Sequence, residues 1–77
     1  MISRGEAVTN ARRMLRGFAG APDARRHAQK LFSELTHADG WSAAEQAAIT
    51  ELGLWLQARP NLAELKPHCE RVLARFG

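Results

Sequence analysis

Apolar residues recur three and four positions apart in four successive segments of this chain, and short breakers separate the segments. That spacing is the signature of amphipathic helices. In the first segment, from Gly5 to about Ala19, the stripe is Ala7, Val8, Ala11, Met14, Leu15 and Phe18. Gly20-Ala21-Pro22 ends it, because glycine relaxes the backbone and proline restricts the residue before it.

The second segment runs from Asp23 to about His37 and is striped by Ala24, Ala28, Leu31, Phe32 and Leu35, with Asp23 placed to cap it. Asp39-Gly40 follows as a turn signal. Ser42-Ala43-Ala44-Glu45 then reads as a capping box, in which the serine accepts from the third helical N–H and the glutamate reaches back. This third helix continues to about Ala58. Trp41, Ala44, Ala48, Ile49, Leu52, Trp55 and Leu56 share one broad face, and a second stripe of Ala43, Ala47, Leu54 and Ala58 lies to one side. A helix apolar around more than half its circumference sits centrally in a bundle or turns its extra stripe to a partner.

The fourth segment follows Arg59-Pro60, with Asn61 and Glu64 repeating the capping pattern. Leu62, Leu65, Cys69, Val72, Leu73 and Phe76 keep helical phase to the end. Pro67 lacks the amide donor and crowds the turn before it. The pattern therefore admits either a turn at 61–66 leading to a helix at 67–76, or one kinked helix.

The 77 residues allow a single domain over 1–77. Helix formers dominate while valine, isoleucine and tyrosine are scarce or absent, which argues against a sheet. The expectation is an all-α fold: a compact bundle of four short antiparallel helices, joined by short connections, with the last broken or kinked near Pro67. A single cysteine, no signal-like run at the N-terminus and no long apolar stretch fit a soluble cytoplasmic protein with no membrane attachment.

Charge is unevenly spread. Residues 1–30 carry seven basic side chains against two acidic ones, and residues 31–77 carry four against six. Arg12, Arg13 and Arg16 lie away from the apolar stripe of the first helix, and Arg26 and Lys30 stand four apart on the second. Like charges at that spacing repel by a few tenths of a kcal/mol. Three uses fit such a face: simple solvation with partial neutralisation by Asp23 and Glu34, an acidic protein partner, or nucleic acid. Nucleic acid meets an obstacle. The helix placed to read bases, 43–58, has no lysine or arginine and carries Glu45 and Glu51.

Catalytic and metal chemistry find no pattern. His27, His37, His68 and Cys69 lack paired ligand spacing, and Cys69 falls on an apolar stripe. No cofactor signature occurs, and the acidic residues are scattered over helix surfaces. The segment Ala38-Asp39-Gly40-Trp41-Ser42-Ala43-Ala44-Glu45 resembles the Asp-Gly-x-Ser-x-x-Glu turn of tellurite-resistance helical domains. The resemblance implies a Ser-capped helix after an Asp-Gly turn.

The sequence thus leads to a small accessory or regulatory protein, not an enzyme, that acts by protein–protein binding. Its candidate surfaces are Arg12, Arg13, Arg16, Arg26 and Lys30, and the Ala43/Ala47/Leu54/Ala58 patch, the latter also suited to homo-oligomer formation. A nucleic-acid-binding regulator using the Arg-rich face is the alternative.

Overall fold

Three side chains start three helices. The hydroxyl of Ser3 accepts the amide of Glu6, the carboxylate of Asp23 accepts that of Arg26, and the hydroxyl of Ser42 accepts that of Glu45, each at 3.1 Å. Each satisfies one of the donors that a helix N-terminus leaves free. The computed structural model describes residues 2–76. It contains α1 (Arg4–Arg16), α2 (Ala24–Thr36), α3 (Ala43–Gln57) and α4 (Leu62–Leu73), with 3-10 turns at Phe18–Gly20 and Ala74–Phe76. No strand occurs among the described residues; one isolated bridge joins Ile2 to Ala38.

The fold is the all-α, four-helix globule that the apolar spacing predicts. Its radius of gyration, 11.5 Å, equals the value of about 11.5 Å expected for a compact chain of this length. Leu31 and Leu35 of α2, Leu52 of α3, and Leu65 and Cys69 of α4 are fully buried at its centre. Burying each leucine contributes roughly 2 kcal/mol. Asn10 of α1 bonds to Glu34 of α2, and Met14 to His27, which is the order that two antiparallel neighbours give.

Several details differ from the sequence reading. The first helix stops at Arg16, and Gly17 donates to the carbonyl of Met14 before the chain tightens into the first 3-10 turn. Of the two courses that the sequence admits at Pro67, the structure takes the single helix, with Pro67 inside α4. Asn61 does not cap α4 through its side chain. Its backbone carbonyl instead accepts the amide of Glu64 at 3.0 Å, so the donor that a side-chain cap takes is already engaged. Two residues assigned to the core-facing apolar stripes are exposed. Ala44 lies in the first turn of α3, and Leu62, the first residue of α4, sits ahead of the packed part of its stripe and stays 57% exposed.

The connections place the candidate surfaces. Gly40 has φ +81°, the left-handed conformation that the Asp39-Gly40 turn requires. The indole N–H of Trp41 donates to the carbonyl of Leu35 at 3.1 Å, a second donor to an acceptor at the end of α2 that also takes the Ala38 amide. Ile2 donates to the carbonyl of His37. Together these contacts draw the start of α1 alongside the start of α3.

Candidate functional site

A groove of about 500 Å³ opens where α1, the start of α3 and the last 3-10 turn meet. Val8, Trp41 and Phe76 supply its apolar lining, and Ser3, Arg4, Thr9, Arg12 and Glu45 its polar side chains. Trp41 and Phe76 meet edge to face, with centroids 5.2 Å apart and planes at 90°. That is a favoured aromatic geometry, and it holds a half-buried aromatic wall in place. The groove lies within the size range of small-ligand and peptide-anchor sites.

The electrostatics of the groove follow from two pairings. Glu45 accepts the Ser42 amide at 2.9 Å and lies 3.8 Å from the Arg4 guanidinium. The Ser42 backbone bond chiefly, with smaller help from the Ser42 hydroxyl and Arg4, holds its carboxyl below the usual carboxylate range against the opposing effect of burial. Arg4 and Glu45 thus largely offset each other. Arg12 forms no ion pair among the described residues and stands exposed at the rim. The groove therefore presents one uncompensated cation beside an aromatic wall.

The structure divides the basic set read from the sequence. Helical phase places Arg12 and Arg16 about 40° apart on one flank of α1 and Arg13 roughly 60° further round. Arg26 and Lys30 line a separate shallow pocket of about 280 Å³ beside the Gly17–Pro22 connection. The five residues do not converge on one pocket. None of them makes an ion pair among the described residues. The two carboxylates expected to neutralise them are otherwise engaged: Asp23 caps α2, and Glu34 accepts from the Asn10 side chain at 2.7 Å.

The second candidate surface, Ala43, Ala47, Leu54 and Ala58, is exposed at all four positions, with Leu54 63% accessible. Of the groove residues, sequence reasoning assigns only Arg12 to binding; Arg4, Val8, Trp41 and Phe76 are among those it does not. Val8, Trp41 and Phe76 were read as core from their apolar phase. Val8 is buried as that phase predicts, while Trp41 and Phe76 stay half-buried, and the approach of three separate segments brings the three together at one groove. The Ser-cap at Ser42 was the one legible clue, because it fixes where Trp41 must stand.

The remaining soft side chains have structural roles. His27 bonds through Nε2 to the carbonyl of Met14 at the end of α1 and meets Phe18 edge-on at 4.7 Å. His37 bonds to the carbonyl of Ser33. Cys69 is fully buried, and desolvation pushes its thiol up to about 11, which keeps it protonated and unreactive at neutral pH. Among the described residues, no three histidine, cysteine or acidic side chains converge as a metal site. Among the described residues, no helix is long and apolar enough to cross a membrane.

No protein-family model matches this chain, and no curated protein or solved structure proves similar to it.

Proposed function

We propose that this chain is a small non-catalytic accessory protein that binds an acidic segment of another protein in the groove between α1 and α3. The observation that carries this reading is Arg12, which pairs with no acidic group among the described residues, beside the aromatic wall of Trp41 and Phe76. A cation next to an apolar wall matches a segment with a carboxylate close to a bulky apolar side chain. The carboxylate supplies orientation and encounter rate, and the buried apolar group slows release. Arg13, Arg16, Arg26 and Lys30 extend the positive field around this anchor and steer an acidic surface toward it.

The nucleic-acid alternative fits the site less well. α3 carries no positive charge, and Glu45 lies in the groove itself. Catalysis has no support there either: the hydroxyl of Ser3 is committed to the amide of Glu6, and no histidine or cysteine lines the groove.

The test is an NMR titration of isotopically labelled protein with a capped peptide of alternating aspartate, leucine and phenylalanine. A lysine-for-aspartate counterpart and a thymidine oligonucleotide serve as the other two arms. The acidic peptide should saturably shift the Trp41 indole N–H and the Gly5 and Thr9 amides. Arg12→Glu should weaken it about tenfold, and Arg13→Glu, on another side of the same helix, much less. Equal binding of the lysine peptide, or binding of the oligonucleotide alone, refutes the proposal.

A further inference from the structure

The outward stripe of α3 is its own complement. Ala43, Ala47, Leu54 and Ala58 lie along one line opposite Ile49, Leu52 and Leu56, which face the core. The stripe is centred between Thr50 and Glu51. A two-fold axis through that centre would set two α3 helices antiparallel. Ala43 would then face Ala58 of the second copy, Ala47 would face Leu54, and Thr50 would face Glu51. Each exposed leucine would enter the space above an alanine, and the small residues at both ends would let the helix axes approach to about 8 Å. We infer that two copies of this chain associate through this face of α3, with Leu54 of each seated on Ala47 of the other.

Charge selects the same occupant. In a chain of net charge +3, α3 carries no lysine or arginine, so two copies meet there without cationic repulsion. Gln46, Thr50 and Gln57 flank the stripe and are uncharged. Glu51, near the axis, lies 3.5 Å from Arg75 of its own chain, which offsets the approach of its symmetry mate. An acidic partner finds no cation on this face and a basic one only Glu51, which Arg75 already approaches, whereas an identical stripe matches it residue for residue. Such an isologous contact closes on itself as a dimer and does not propagate. One helix pair buries less than the roughly 1,200 Å² of a stable specific interface, so the expected dissociation constant is on the order of 0.1 mM. The inference is independent of the groove, since none of Ala43, Ala47, Leu54 and Ala58 lines it.

Sedimentation equilibrium over a wide concentration range tests the association, and cysteine cross-linking tests its register. The wild type should pass from monomer to dimer. Leu54→Glu should remain monomeric with an unchanged helical circular dichroism spectrum, while Leu62→Glu, at the other exposed leucine, should dimerise as the wild type does. Under mild oxidation, a mixture of Ala43→Cys and Ala58→Cys proteins should form the mixed disulfide. Ala43→Cys alone should not, because antiparallel packing holds the two Ala43 positions roughly 20 Å apart. Cys69 is buried and stays out of the reaction. A chain that is monomeric at every concentration overturns the inference. So does a dimer that Leu62→Glu dissolves as readily as Leu54→Glu, or an Ala43→Cys protein that cross-links to itself. Should Leu54→Glu unfold, the cross-linking result decides.

Discussion

The imidazole of His68 lies flat against the indole of Trp55, with ring centroids 3.8 Å apart and planes 12° from parallel. Its Nε2 atom is buried and has no hydrogen-bond partner among the described residues. The neutral ring tolerates this with the proton on Nδ1, whereas protonation would place an unpaired N–H at the buried position. Desolvation first, then the nearby Arg71, with a smaller contribution from Arg75, lowers the His68 pKa; Glu51 and Glu64 oppose the shift without reversing it.

The sign of the linkage follows. The unfolded chain binds the His68 proton more tightly than the folded one, so stability rises with pH across this window and is complete above the unfolded pKa of about 6.5. Acidification below that value should destabilise the fold through His68. Urea denaturation at about pH 7.5 and about pH 5 should show a larger loss for the wild type than for His68→Phe, which keeps a stacked ring without a titrating group. Equal losses would remove His68 as the cause.

Gly53 belongs to α3 because of Phe32. A Cβ built on Gly53 would lie 2.7 Å from the Cζ atom of the Phe32 ring, closer than carbon atoms pack. Alanine would otherwise improve the helix by about 1 kcal/mol. Crowding of this kind costs about 1–3 kcal/mol, so Gly53→Ala should be net destabilising by roughly 1 kcal/mol. Shortening the opposing side chain should relieve the clash. The pair Gly53→Ala with Phe32→Leu should therefore be less destabilised than the sum of the two single changes, as read from a denaturation double-mutant cycle.

The capping box at Ser42 fixes both the start of α3 and one wall of the groove. Removing its hydroxyl in Ser42→Ala frees the Glu45 amide and should destabilise the protein by about 1 kcal/mol. The Glu45 carboxyl is held low by the Ser42 amide, so its contribution is present above the unfolded pKa and is lost as pH falls through the folded one. Glu45→Gln keeps an acceptor without the charge. In a thermal melt series below neutral pH, that variant should show a shallower acid loss than the wild type.

The sequence made these local devices legible because each depends on residues three or four apart. Ser42 with Glu45, Asp23 with Arg26, and the stripe of Leu31 and Leu35 all state their partners within one turn. The groove was not legible in this way. Val8, Trp41 and Phe76 come from three segments, and each carries the phase of a core residue. Val8 is indeed buried, but what leaves Trp41 and Phe76 half-exposed beside it is the end of the bundle, which no short-range pattern encodes. The division of the arginines has the same origin. Phase within α1 separates Arg12 from Arg13, but only the packing of α2 against α1 assigns Arg26 and Lys30 to a different pocket. Ala44 and Leu62 mislead for a related reason: both keep a core phase in a first turn.

Pro67 is where local preference and tertiary packing disagree. It is exposed in the interior of α4, where it supplies no amide to the carbonyl of Ala63 and its ring crowds that turn. The helix nonetheless continues through it, because Leu65 on one side and Cys69, Val72 and Leu73 on the other are all buried against the same core. Interior proline is about 3 kcal/mol less favourable than alanine in a helix, while its rigidity restrains the unfolded chain by about 0.4–1 kcal/mol. Partial relaxation of the turn lowers the first figure. Pro67→Ala should therefore stabilise the protein by roughly 1–2 kcal/mol, with a higher urea midpoint and an unchanged slope. It should also protect the amides of α4 from hydrogen exchange, which places the gain in that helix. A variant no more stable than the wild type would mean that α4 already absorbs the proline without strain.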